Sequence, residues 1–175
     1  MAAADEPLTS DPRESGKQLR HRLWETINQR YPGSMIRKDE HVPLVFPSKP
    51  LEKSRIALIS SCGVHLRSDL PMDVCHPFGD FSFRRVPSCS SPDELIIHQL
   101  KYPHDDADID VNVIFPIVRL QELAKDGLIG ALTANFFSFI GYTMDPERFE
   151  RSVASEIARA VSDDERADIA LLAPA

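Results

Sequence analysis

Arg55-Ile-Ala-Leu-Ile-Ser60 is a short apolar run, rich in isoleucine, that ends in Ser-Ser-Cys-Gly. A run of that kind reads as a β-strand buried on both faces, which belongs to a parallel sheet covered by helices. Asp168-Ile-Ala-Leu-Leu-Ala173 carries the same buried-strand pattern near the end of the sequence. Helical spacing lies between them, and strand, helix and strand in that order imply an α/β sheet with parallel strands. The expected fold is therefore α/β: an open, mostly parallel sheet flanked by helices, with a long irregular excursion after the first strand.

The intervening segments fill in this plan. Leu19, Leu23 and Ile27 recur at four-residue spacing in an amphipathic helix that stops at Tyr31-Pro32-Gly33. Residues 41–51, with Pro43, Pro47 and Pro50, read as an extended connector. Residues 66–93 hold four prolines among serines and glycine and form the excursion, of the length that is usually functional or mobile. Glu94-Leu-Ile-Ile-His-Gln reads as a second strand and Asp105 to Asp110 as an acidic turn. Asn112 to Lys125 reads as a helix with Ile117, Leu120 and Leu123 on one face. Leu128–Leu132 and Phe136–Ile140 have strand propensity, and Asp145-Pro146-Glu147 is a helix start whose face continues through Phe149, Val153, Ile157 and Val161. Residues 1–14 are expected to be a disordered tail, 15–41 a helical extension and 42–175 the α/β domain.

The chain has 175 residues, enough to bury a core without staples, and a net charge of −7. That charge argues against nucleic acid and anionic membrane as partners, since both require a phosphate-neutralising surface. Three widely spaced cysteines without a Cys-x-x-Cys pair fit a reducing cytoplasm. No secretory or membrane-spanning pattern is visible in the sequence.

Ligands of open α/β sheets bind outside the carboxyl ends of the strands. Those ends carry Ser60, Ser61, Cys62, Gly63, Val64 and His65 after the first strand, and Pro174 after the last. Cys62 is a candidate thiolate nucleophile if His65 takes its proton, set against a buried structural thiol and a hydrogen-bonded loop histidine. Cys75, His76, His98 and His104, with Asp105, Asp106, Asp108 and Asp110, include metal-ligand types, but their spacing matches no metal-binding pattern. The segment Tyr102-Pro-His-Asp-Asp-Ala-Asp-Ile-Asp-Val-Asn112 places carboxylates close to His104, where they orient or charge the imidazole or else cap local turns.

Residues of about 42 to 175 resemble the selenoprotein B family of the glycine, sarcosine, betaine and D-proline reductases. The matching pieces are Lys49-Pro-Leu, Arg55-Ile-Ala-Leu-Ile with Gly63-Val-His-Leu66, Gly79-Asp-Phe-Ser-Phe-Arg84, and Tyr102-x-His-x-Asp-Ala-Asp-x-Asp-x-Asn112 leading into Phe115-Pro116. Arg119-Leu-x-Glu-Leu123, Gly127-Leu-Ile-Gly130, Phe137-Ser-Phe-Ile-Gly-Tyr142 and Ile169-Ala-Leu-Leu-Ala-Pro174 complete the order. The resemblance implies reductive cleavage of a carbon–nitrogen bond in an amino acid or its derivative, with electrons from a thiol donor. It also implies a selenocysteine or cysteine nucleophile, and a pyruvoyl group on a partner subunit that holds the amine as an imine. No cofactor is expected in this chain itself.

The family's nucleophile belongs immediately after the closing strand, and the sequence shows no selenocysteine and ends at Ala175. A truncated product or gene model, with a selenocysteine codon taken as a stop, is the expectation. Cys62 stands where the resemblance leads one to expect a small residue, and Gln99 and Lys101 stand where it leads one to expect histidines. The residues expected to line the pocket are His65 and His104, with Asp106 and Asp110 orienting the latter. Two alternatives are a complete thiol enzyme using Cys62, and a non-catalytic small-molecule-binding or subunit-interaction domain.

Overall fold

The computed structural model describes residues 16–30, 32 and 45–175. The chain divides into two units, Met1–Lys38 and Asp39–Ala175. In the first, helix α1 covers Gly16–Arg30 and carries an i,i+4 pair of His21 with Glu25. The expected tail 1–14, Tyr31 and Gly33 of the helix stop, and residues 41–44 of the connector lie outside the described residues.

In the second unit the strands are β1 (Arg55–Ser60), β2 (Val64–Leu66), β3 (Phe83–Pro87), β4 (Leu95–Ile97), β5 (Ala131–Leu132), β6 (Asn135–Phe139) and β7 (Ile169–Ala173). The helices are α2 (Asp105–Ile109), α3 (Ile117–Lys125), α4 (Pro146–Phe149) and α5 (Ser155–Arg159), with π-turns over Glu150–Ala154 and Ala160–Asp164 that make 146–164 one helical path. Strand β1 is central. It pairs in parallel with β7 on one side, from Ile56–Ile169 to Ser60–Ala173, and with β5 and then β6 on the other.

Two-residue alternation sorts the core into two layers. Ile56 and Leu58 of β1 and Phe136 of β6 face a cluster with Phe115, Ile117 and Leu120 beneath α3. Ala57 and Phe137 face the opposite cluster, built on Val153, Ile157 and Val161 of the 146–164 path. The Phe115 and Phe136 rings meet edge to face at 6.2 Å, a geometry that adds to the area they bury. Asp145 caps the 146–164 path by accepting from the Arg148 amide at 2.9 Å.

The sheet is open and mostly parallel, as the two buried-strand patterns predict, and several details differ. The excursion 66–93 is not wholly irregular: β3 lies within it and adds an antiparallel edge to β6, from Phe83–Phe139 to Pro87–Asn135. Its Arg84, Arg85 and Pro87 obscure strand propensity, and they are the residues that suit a solvent-facing edge. The strand predicted at Glu94–Gln99 exists as β4 but pairs with β2 in a separate two-stranded sheet. The acidic turn is helix α2. Leu123 is 37% exposed and leaves the core face to Ile117 and Leu120. Strand β7 is not buried on both faces: Leu172 is 67% exposed and, among the described residues, β7 pairs only with β1. Its apolar pattern is that of a central strand, yet among the described residues it has a single partner strand.

Candidate active site at the carboxyl ends of the strands

The carboxyl ends of β1 and β7 are tied by hydroxyls. The buried Ser60 Oγ lies 2.7 Å from the Ala173 carbonyl and 3.0 Å from that of Ile114. Ser61 Oγ accepts from the Ala175 amide at 3.1 Å. The loop after β6 is held from the other side by the excursion: Tyr142 and Thr143 hydroxyls donate to the Pro77 and Phe78 carbonyls, each at 3.4 Å. Gly79, at φ 98°, is needed there, because a side-chain carbon would collide with the Tyr142 carbonyl oxygen.

Two cavities open at this end. One, of about 290 Å³, is lined by Tyr102, His104, Asp106, Ile114 and Ala175 among others. The other, of about 300 Å³, is apolar and lies between Ile59, Phe139, Leu172 and Pro174, with Ser61 on its wall. Neither is lined by a cysteine.

The sequence candidates separate. Cys62 is fully buried, its thiol is 3.7 Å from Ser138 Oγ, and burial pushes its pKa up, so it is held as a thiol. His65 is also buried. Its Nδ1 is 2.7 Å from the Leu66 carbonyl and its Nε2 3.3 Å from His98 Nδ1, so both nitrogens are occupied away from Cys62. His104 does line the first cavity. It is oriented by Asp108, whose Oδ2 is 2.9 Å from Nδ1, rather than by Asp106 or Asp110.

Asp106 shares the His104 cavity. Asp110 is engaged elsewhere, since its Oδ1 accepts from the Asn112 amide and side chain, which holds its carboxyl below the usual range. Asn112 in turn accepts from the Val118 amide at 2.9 Å, so Asp110 and Asn112 together secure the start of α3. Cys75, His76, His98 and His104 do not converge; among the described residues no three His, Cys, Asp or Glu side chains are placed to hold a metal ion.

Three residues that the sequence names as neighbours of the site take roles it does not assign to them. Asp108 follows His104 by four residues, and that spacing shows the pair only once the acidic turn is known to be helical. Tyr102 donates to the Cys62 carbonyl at 2.8 Å and stands edge-on to the His104 ring, and burial raises its pKa. Ser61 reaches the closing residues only through the β1–β7 register. No helix among the described residues is long and apolar enough to cross a membrane.

Residues 25–173 match the family model of glycine/sarcosine/betaine reductase selenoprotein B. Over 135 residues the chain is 32% identical to the D-proline reductase subunit gamma of Acetoanaerobium sticklandii, in an alignment covering 74% of this chain and 54% of that protein. The chain thus spans about half the length of the curated relative it matches. No solved structure matches it.

Proposed function

This chain belongs to the glycine/sarcosine/betaine reductase selenoprotein B family, and on that premise we propose that it forms the substrate-side part of a reductase that cleaves a carbon–nitrogen bond of an amino acid or its derivative. The observation that carries this reading is the cavity at the carboxyl end of β7, which His104 and Asp106 both line and no cysteine lines.

In this reading the nucleophile comes from outside these 175 residues. A selenolate or thiolate bonds to the substrate carbon as the C–N bond breaks, and a dithiol donor then supplies two electrons to release the reduced carbon product. A pyruvoyl group on a partner subunit would supply a carbonyl to hold the substrate amine. What this chain does is position a proton. The Asp108 carboxylate accepts from His104 Nδ1 and leaves Nε2 without a partner among the described residues, so that in the imidazolium form Nε2–H is free to protonate the departing amine nitrogen and the ring returns to neutral. Asp106 holds negative charge on the same wall and favours a cationic amine there. His65, Cys62 and Asp110 support the walls rather than the chemistry. A reducing cytoplasm suits the three free thiols.

The test is dithiol-dependent amine release from glycine, sarcosine or betaine, or ring opening of D-proline, by the complex assembled with its partner subunits. Turnover that falls about a hundredfold in His104→Gln, with an unchanged melting temperature, is the expected result. Wild-type turnover in that variant overturns the assignment of His104, and an assembled complex inactive on all four substrates overturns the reductase reading.

A second reading, a subunit-interaction domain without chemistry of its own, is favoured by β7, which among the described residues pairs only with β1 and leaves Leu171 and Leu172 exposed. Stable copurification with a partner and no thiol-dependent turnover distinguishes it.

A further inference from the structure

At the amino ends of the strands, opposite the candidate active site, lies a cavity of about 430 Å³ whose walls come from three stretches of chain. The turn at Leu51–Lys53 and the start of β1 bring Lys53 and Arg55, and the turn before β7 brings Arg166. Lys49 and Asp168 also line it, but they neutralise one another: Asp168 Oδ1 accepts from Lys49 Nζ at 2.8 Å and its Oδ2 from the Arg55 amide at 2.8 Å. Among the side chains that line the cavity, Lys53, Arg55 and Arg166 then stand against Glu52 alone, which leaves its wall a surplus of two positive charges. In a chain of net charge −7 that surplus runs against the overall field.

Backbone strain points to the same place. Arg166 is the only non-glycine residue at positive φ, 51°, among those described. A long side chain is costly there and persists only where its surroundings impose it. The neighbour that imposes it is Glu165, buried at 6% exposure, whose carboxylate accepts from the Ala134 amide and from Asn135 Nδ2, each at 2.7 Å. The Glu165 carbonyl in addition accepts from Arg55 Nη1 at 3.2 Å. The turn is thus clamped to β5–β6 and to β1, with Arg166 exposed over the cavity, and neither Lys53 nor Arg166 has a side-chain partner among the described residues.

We propose that this cavity binds the dianionic phosphate group of a small molecule, with Lys53, Arg55 and Arg166 as its ligands. Two surplus positive charges match a phosphate dianion, and arginine provides the planar fork that phosphate oxygens fit. Arg55 and Ser60 are the two ends of β1, so the site stands roughly 17 Å from the active-site end at about 3.3 Å per residue. It is a second site and does not depend on the reductase reading.

The test is isothermal titration of the whole chain with inorganic phosphate. Saturable binding that weakens about tenfold in Lys53→Gln and in Arg166→Gly, with no change in Arg151→Gln, is expected. Arg166→Gly separates binding from folding, because glycine relieves the positive φ and the variant should melt no lower than wild type without phosphate. Absence of saturable binding by the wild type overturns the proposal. Equal affinity in wild type and Arg166→Gly, or an equal loss in Arg151→Gln, overturns it as well.

Discussion

His65 Nε2, in the middle of β2, lies 3.3 Å from Nδ1 of His98, the residue that follows β4, while His65 Nδ1 is 2.7 Å from the Leu66 carbonyl. A carbonyl only accepts, so Nδ1 carries a proton, and in the neutral ring Nε2 accepts from His98. The rings stack at 5.5 Å. His65→Ala removes a buried ring and strands two polar partners, and is expected to cost about 2–3 kcal/mol in urea unfolding. His98→Ala, half-buried, should cost about 1 kcal/mol. Turnover per folded molecule of the assembled reductase should stay near wild type in His65→Ala; a large loss without destabilisation would return His65 to the chemistry.

Cys75 and Cys89 are exposed, whereas Cys62 is buried and kept protonated. Maleimide should label two thiols in the native protein, and the third only as fast as the protein unfolds. Because the folded state raises the Cys62 pKa, its contribution to stability holds below the ordinary thiol value of 9.0. It declines at higher pH, where the unfolded chain ionises first. Rapid native labelling at Cys62, read by peptide mass, contradicts this placement.

Asp168 has its carboxyl pKa lowered, first by the hydrogen bond from Lys49 and next by that from the Arg55 amide. A depressed carboxyl stabilises the fold above its unfolded value of 3.8 and loses that contribution as pH falls through the lower folded value. The difference in melting temperature between wild type and Asp168→Asn should therefore be complete at neutral pH and shrink below about pH 4. A difference independent of pH means that the charge is not what Lys49 recognises.

Glu165 accepts two hydrogen bonds of 2.7 Å from donors at the β5–β6 junction. In Glu165→Gln the amide nitrogen faces one of those donors, and a loss of about 2 kcal/mol is expected; Glu165→Ala leaves both unpaired and should cost about 3 kcal/mol. Because Glu165 clamps the turn carrying Arg166, both variants should also weaken phosphate binding. Chemical denaturation and titration of the same samples check the two effects together.

The strands legible in the sequence are those whose local pattern agrees with their place in the sheet. Ile56, Leu58 and Ile169 announce parallel strands, and Asp145-Pro146 announces a helix start through its own capping chemistry. Strand β3 is hidden because Arg84, Arg85 and Pro87 suit an edge that only its pairing with β6 makes visible. At the site, His104 and Asp106 are legible as a polar cluster. Their separation from Asp110 is not, because Asp110 is drawn to Asn112 by a bond within the same short turn.

What the sequence determined by itself is the strand-and-helix order, the family and the residue types available to a cavity, since these depend on local periodicity and motif order. Only the tertiary structure decided which groups meet. It paired His65 with His98 instead of Cys62, left β7 paired with β1 alone among the described residues, and gathered Lys53, Arg55 and Arg166 at one end of β1. Such contacts join residues far apart in the chain, and they are set by sheet register and by the direction in which each side chain leaves its strand, neither of which a local pattern encodes.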